Sequence, residues 1–292
     1  MLLPRIHSLP PNAGSQLFVT DLDGTLLDNS ARVPVQSAAL ISELSHCGAL
    51  ISIATARTPA TVDPLMAHVF TTPPAIVLTG AAMWSRRHRK YINPVYIDPA
   101  AGALAVNVCR EAGVQPFAYT LHEPTSTLHV YRNGPLTNRE AKFINDRREL
   151  SLKRFHLDTP AGEGAVFDSL MLVFAMGPAP LIHTIARALR TDTRLSVSAY
   201  TDTYNPGTGI IEVFGAGVSK AAAVLRLKEM TGASGLTVFG DNLNDLSMMA
   251  VADTAVAVAN AADAVLEAAD TVIGPNTENS VAEYILSVLT NS

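Results

Sequence analysis

Cysteine is scarce in this chain of 292 residues, where Cys47 and Cys109 are the only two. Two thiols cannot build a disulfide framework or a cysteine-rich zinc site. They are expected to pack as small apolar groups in a reducing compartment. Positive charge is also in deficit: 21 Lys and Arg face 26 Asp and Glu, a net charge of −5. That balance supplies no cationic face of the kind duplex nucleic acid needs. No apolar run approaches the roughly 18 residues of a membrane span. The first sixteen residues, MLLPRIHSLPPNAGSQ, contain three prolines and no continuous apolar stretch, so they read as a loose leader rather than a secretory signal. The eight histidines include no H-E-x-x-H spacing, and no glycine-rich loop ends in the Gly-Lys-Ser/Thr of a P-loop. These absences predict a cytoplasmic protein with no nucleic-acid or membrane partner, a monomer or weak homodimer. Apolar residues, by contrast, make up 48% of the chain, enough for a large core. At about 150 residues per domain, the length predicts two domains.

The apolar runs are short and several end in polar clusters. LFV (17–19) leads into Asp21-Leu22-Asp23-Gly24-Thr25, ALISIA (49–54) into Thr55-Ala56-Arg57, AIVL (75–78) into Thr79-Gly80, LTVF (236–239) into Gly240-Asp241-Asn242-Leu243-Asn244-Asp245, and TAVAVA (254–259) into Asn260. Runs of this length, apolar on both faces, describe strands of a covered parallel sheet. Helical patterns lie between them: one starting at Pro34 and ending before Gly48, one over 59–70, one capped by Ser219 and running to Met230, and one over 277–290. The alternation predicts a doubly wound, Rossmann-like α/β core. The middle of the chain reads as an inserted α+β unit of about 130 residues, large enough for its own core. Its expected strands are 91–97, 114–120, 127–132, 169–176, 194–200 and 209–214, and its helices 99–112, 138–150 and 178–190, with a capping box at Thr137-Asn138-Arg139-Glu140. His122 and His129 fall on these strands and read as structural. Arg86-Arg87-His88-Arg89-Lys90 reads as a solvated hairpin near the junction, and Gly162-Glu163-Gly164 and Gly207-Thr208-Gly209 as loops. The expected division is a core of 1–83 and 215–292 and an insert of 84–214.

In an open α/β sheet, ligands bind beyond the carboxyl ends of the strands, where three of the polar clusters would meet. Asp21, Asp23, Asp241 and Asp245 would then crowd into one crevice. Mutual repulsion makes such a cluster costly unless a cation joins it, and all-oxygen ligands favour Mg²⁺ over zinc. Lys220 adds one positive charge. Such a site suits phosphoryl transfer: Mg²⁺ and Lys220 neutralise the incoming phosphate, Thr55 donates a hydrogen bond to it, Asp21 attacks phosphorus, and Asp23 shuttles the proton.

Asp21-Leu22-Asp23-Gly24-Thr25-Leu26 resembles the first motif of the haloacid dehalogenase superfamily. Thr55, Lys220 and Gly240-Asp241-Asn242-Leu243-Asn244-Asp245 are similar to its second, third and fourth, in the same order. The large insert resembles the C2-type cap of Cof-like sugar-phosphate phosphatases. The resemblance runs from about Gln16 onward. It implies that Asp21 is nucleophile and metal ligand, that Asp23 is acid/base and ligates metal through its carbonyl, and that Asp241 ligates directly. Asp245 would act in the outer metal shell or orient Lys220. Thr55, Ala56, Arg57, Lys220 and Asn244 would face the phosphate or substrate. Ala56, Ala259 and Ser280 stand where the family often has glycine, and Leu78-Thr79 lacks its usual asparagine, so no relative's substrate is carried over. The expected activity is Mg²⁺-dependent hydrolysis of a small phosphorylated metabolite, with a cap closing over the core. Two other readings stay open at this point: a phosphotransferase resembling phosphomannomutase, and a non-catalytic phosphometabolite-binding protein.

Overall fold

The computed structural model describes residues 13–122, 126–158, 165–202, 205 and 207–291. Residues 1–12 of the expected leader and Gly162-Glu163-Gly164 lie outside the described residues. The chain forms two compact units, Met1–Ile92 with Ser219–Ser292, and Asn93–Val218.

The first unit is built on a five-stranded sheet, in the order Thr271–Ile273, Thr254–Val258, Gly235–Gly240, Gln16–Thr20 and Leu50–Ile53, with every pair parallel. Both faces of the central strands are apolar because helices cover both. Leu17 and Val19 pack with Val224 and Leu227 of the helix Lys220–Thr231. On Gly235–Gly240, Phe239 meets Tyr284 of the helix Ser280–Thr290 edge-on at 5.6 Å between centroids. Side chains alternate across a strand, so one apolar run serves two helical layers. Ser219 caps its helix as expected, accepting a hydrogen bond from the Ala222 amide at 3.1 Å.

Several boundaries differ from the sequence expectation, each for a local reason. Pro34 precedes the helix Val35–His46 instead of opening it. The helix expected over 59–70 stops at Leu65, just after Pro64, whose nitrogen has no hydrogen to donate. The last helix begins at Ser280 rather than 277. The short helix Asp263–Ala268 and edge strand Thr271–Ile273 carry too few residues to show a period. The largest change concerns 91–97, expected as a strand of the insert. Only Lys90–Ile92 is a strand, and it pairs antiparallel with Ala82–Ser85, which pairs with Ala75–Val77. This hairpin holds 84–92 in the first unit. Its turn carries the exposed Arg87, His88 and Arg89, while Arg86 turns inward and donates to the Met66 and Val69 carbonyls.

The second unit has a six-stranded sheet in the order Leu195–Thr201, Thr208–Gly215, Leu170–Pro178, Phe117–Leu121, Leu128–Arg132 and Lys153–Leu157. All pairs are antiparallel except the last, where the helix Asn138–Asn145 provides the crossover that parallel pairing requires. The helices Pro99–Glu111 and Ala179–Leu189 bury Ala105, Cys109, Ile182 and Ile185 with Ala118, Val173 and Ile211 of the sheet. The strand expected over 209–214 runs over Thr208–Gly215, so it takes in Thr208 from the expected loop. A Cβ at Gly209 would lie 2.7 Å from Ile182 Cβ, so glycine lets the helix close on the sheet. Lys153–Leu157 was hidden by its polar composition. His129 Nδ1 lies 2.8 Å from His156 Nε2 across the parallel pair.

The helix Asn138–Asn145 is held at its start by a buried ion pair. Thr137 and Glu140 form both bonds of the capping box. Glu140 also receives Arg132 Nη2 at 2.9 Å, with side-chain exposures of 2% and 4% for Arg132 and Glu140. The same guanidinium donates to the carbonyls of Asn133, Gly134 and Pro135. Removing one partner leaves a buried charge uncompensated. Glu140→Ala should therefore destabilise the second unit by about 3–5 kcal/mol, read as a lower urea midpoint. A loss below about 1 kcal/mol would contradict the assignment.

Candidate active site

The candidate site lies where the strand order reverses. From Gln16–Thr20 the sheet extends to Leu50–Ile53 on one side and to Gly235–Gly240 on the other, and such a switch point opens a crevice at the carboxyl ends. Asp21 and Asp241 are the first residues beyond two adjacent strands, and Thr55 lies just beyond the third. Residues more than 200 positions apart thus converge because their strands are hydrogen-bonded neighbours.

Lys220, in the first turn of its helix, is the fixed point. It is 1% exposed, and its ammonium donates to Asp21 Oδ1 at 2.5 Å and Asp245 Oδ1 at 2.7 Å. The other Asp245 oxygen accepts from the Asp241 and Asn242 amides at 3.1 Å each. Asp245 therefore spends both oxygens on holding Lys220 and the loop. Asp241 Oδ1 accepts from the Thr25 hydroxyl at 2.9 Å. Carboxylate oxygens of Asp21, Asp241 and Asp245 all lie within 4.8 Å of one another. Asp21 and Asp241 each keep an oxygen with no hydrogen-bond partner among the described residues.

Three carboxylates and one ammonium leave the cluster short of positive charge. Burial pushes the Asp21 carboxyl up to about 7, Lys220 works against this, and Asp245 and Asp241 add to it. Asp241 rises to about 6, mainly by burial and partly from Asp245, with the Thr25 bond opposing. For Lys220, burial disfavours the ammonium, but Asp21 and Asp245 outweigh it and the net shift is upward. An all-oxygen donor set with unsatisfied negative charge fits a hard divalent cation such as Mg²⁺.

The remaining expected residues fall around this centre. Thr55 is buried, and its hydroxyl accepts from the Arg57 amide at 3.1 Å, which leaves its hydrogen free to donate. Arg57 grips Asp23 through a fork, Nε to Oδ2 at 2.7 Å and Nη2 to Oδ1 at 2.5 Å. The Asp23 bond, with burial opposing, raises the guanidinium's proton affinity further. The Asp23 side chain is therefore turned to Arg57 and is not among the three clustered carboxylates. Ala56 is half-buried and Asn244 is exposed.

Residues that sequence reasoning missed hold the first loop in place. Asn260 Nδ2 donates to the Gly24 carbonyl at 2.8 Å, and its Oδ1 accepts from the Asn276 amide. Asn276, 6% exposed, donates to the Leu27 carbonyl at 2.8 Å. Asn260 carried a signal, the polar end of a strand, whereas Asn276 sits in an irregular segment with no pattern. The Thr25 hydroxyl likewise reaches across to Asp241. The segment after Ala75–Val77 has Leu78 and Thr79 in the left-handed region, at φ 52° and 56°. Its amides donate to the Arg57 and Thr55 carbonyls, so the strained turn braces the Thr55 loop.

The sequence matches the haloacid dehalogenase-like hydrolase family over residues 18–285. The chain belongs to that family. A search of curated proteins found no match. Among solved structures, it is similar to a haloacid dehalogenase-like hydrolase from Bacteroides thetaiotaomicron, with a TM-score of 0.73 and 20% identity, covering 94% of this chain and 99% of the other. It is also similar to a haloalkanoate-superfamily phosphatase from the same organism, TM-score 0.73 and 21% identity, covering 96% and 98%. A subclass IIB sugar phosphatase aligns with a TM-score of 0.69 and 20% identity over 94% and 98%. These likenesses extend the shared fold across both units. Among the described residues, no helix is long and apolar enough to cross a membrane.

Two substitutions test the geometry. A Cβ at Gly24, where φ is 80°, would lie 2.3 Å from Asp241 Oδ2. Gly24→Ala should displace that carboxylate and weaken Mg²⁺ binding about 10-fold or more, measured by calorimetry. Unchanged affinity would show that Asp241 is not a ligand. Thr79→Asn should stabilise the protein by about 1 kcal/mol, since asparagine enters the left-handed region more readily. A lower unfolding midpoint would refute the strain assignment.

Proposed function

We propose that the protein is a Mg²⁺-dependent phosphatase acting on a small phosphorylated metabolite through an aspartyl-phosphate. The observation that carries this reading is the Lys220 ammonium bridging Asp21 and Asp245 beside Asp241. Mg²⁺, held by Asp21, Asp241 and the Asp23 carbonyl, would neutralise charge on the phosphate and on the attacking carboxylate. Lys220 fixes the Asp21 carboxylate and balances the charge of the approaching phosphate. Of the two roles expected for Asp245, outer metal shell or orienting Lys220, its bonds to Lys220 and the loop amides support the second. The Thr55 hydroxyl and the exposed Asn244 amide serve as phosphate donors, and Ala56 lets the loop approach the phosphate.

In the first step the unpartnered Asp21 oxygen attacks phosphorus, the phosphorus–oxygen bond to the leaving group breaks, and Asp23 protonates the departing alcohol. In the second, Asp23 takes a proton from water, which attacks the acyl phosphate and restores Asp21. Arg57 steers Asp23 through the fork, and its own exposed side meets the substrate. The second unit acts as the cap that selects the leaving group, and its size supports a small substrate over a phosphoprotein. A sugar phosphate is the preferred class, supported by the similarity to a sugar phosphatase.

The test is phosphate release from a panel of phosphorylated metabolites, with Mg²⁺ and with chelator. Chelator should abolish turnover. Asp21→Asn should lower kcat by at least about 10³-fold, the scale on which loss of a nucleophile acts. Activity that survives chelator or the substitution would overturn the reading. An isomerised sugar phosphate without release of inorganic phosphate would assign phosphoryl transfer to a second sugar position instead.

A further inference from the structure

The second unit contains a buried lysine that its own fold does not use. Lys153 begins the edge strand Lys153–Leu157 and is only 7% exposed. Its ammonium has neither a hydrogen-bond acceptor nor a carboxylate within ion-pair distance among the described residues. Its one close partner is the face of Tyr119, 5.4 Å from the ring centroid. Burial, with Arg147 adding repulsion, pushes the amine down to about 7. Burying an unpaired ammonium costs stability, and an apolar side chain of similar length would fill the same space without that cost.

Lys153 also lines a cavity of about 490 Å³, and every residue lining it belongs to the second unit. Arg148 adds a second cation to the lining, and Thr127 and Ser151 add hydroxyls. The one acid in the lining, Glu149, lies 3.6 Å from Arg148 and is 92% exposed, so it does not neutralise Lys153. A cavity lined by Lys153 and Arg148, whose one acid is turned to solvent, lacks a counter-charge for the unpartnered ammonium.

We propose that this cavity is an oxyanion-binding site, in which Lys153 receives a phosphate or carboxylate group of a small molecule. An anion there supplies the missing acceptor and turns a destabilising lysine into a paired one. The site takes its residues from the inserted unit alone, so it does not rest on the phosphatase reading.

The experiment is thermal unfolding of the full chain without divalent cations, titrated with orthophosphate or, separately, succinate. Wild type, Lys153→Met and Lys153→Arg are compared. Any anion bound at the Lys220 centre shifts all three equally, so differences between them isolate the cavity. Lys153→Met should unfold at a higher temperature than wild type without anion, and should lose at least half of the anion-induced rise. Lys153→Arg should keep the rise. A response to orthophosphate alone assigns a phosphate ligand, and one to succinate alone a carboxylate. Equal responses in wild type and Lys153→Met to both anions would overturn the proposal. A second readout uses wild type only: acylation of Lys153 near neutral pH, mapped by mass spectrometry, should be slowed severalfold by the effective anion. Acylation at an unchanged rate with either anion would also overturn it.

Discussion

Everything in the first unit is arranged around one ammonium group that is nearly inaccessible to solvent. Lys220 follows its helix cap into a space walled by the ends of two parallel strands, where Asp21 and Asp245 are its acceptors among the described residues. A lysine so buried would be expelled or neutralised if either carboxylate were absent. Conversely, three carboxylates packed within a few ångströms would not tolerate one another without it. Each group is thus present because the others are, and the arrangement forces the loops after Gln16–Thr20 and Gly235–Gly240 into a single geometry. Asp245 shows the division of labour well. With one oxygen on Lys220 and the other on two backbone amides, it shapes the site and leaves the outward oxygens to Asp21 and Asp241.

Much of this was legible in the residues themselves. The first and fourth polar clusters follow apolar runs too short for helices, with helical patterns between them. That was enough to infer the sheet, its parallel sense and the meeting of distant carboxylates. What the sequence could not show were contacts between irregular segments. Asn276 supports the Asp21 loop from a stretch with no period, and the Thr25 hydroxyl spans 216 positions to reach Asp241. Such bonds depend on where loops end up in space, which no local pattern encodes. Arg57 shows the same limit. Its neighbourhood suggested a substrate contact, yet the fold brings it to Asp23.

The insert was harder to read for a different reason. Its strands include Lys153–Leu157, with the sequence KRFHL, and Thr208–Gly215, whose expected strand began one residue later and overlapped a loop reading at 207–209. Strand propensity is weak where packing decides. Here Gly209 sits within a strand where a helix needs close approach, and Lys153 begins one because Leu128–Arg132 offers a parallel partner. The basic cluster at 86–90, read as a solvated hairpin near the junction, forms such a hairpin: Arg87, His88 and Arg89 are exposed, and Arg86 fastens it to the Met66 and Val69 carbonyls.

The way the two units share one chain has a consequence for how the molecule is made. The strand Gln16–Thr20 precedes the insert in the chain, but its neighbour, the central strand Gly235–Gly240, comes more than 200 residues later, after the whole of the inserted unit. A nascent chain emerging from the ribosome therefore presents all six strands of the inserted sheet while the first sheet still lacks three of its five. Until then Leu17 and Val19 have no Val224 or Leu227 to cover them, and exposed apolar strands of this kind are prone to aggregation. The long detour that brings distant aspartates together therefore leaves the two early strands waiting for their cover until the last third of the chain has been made.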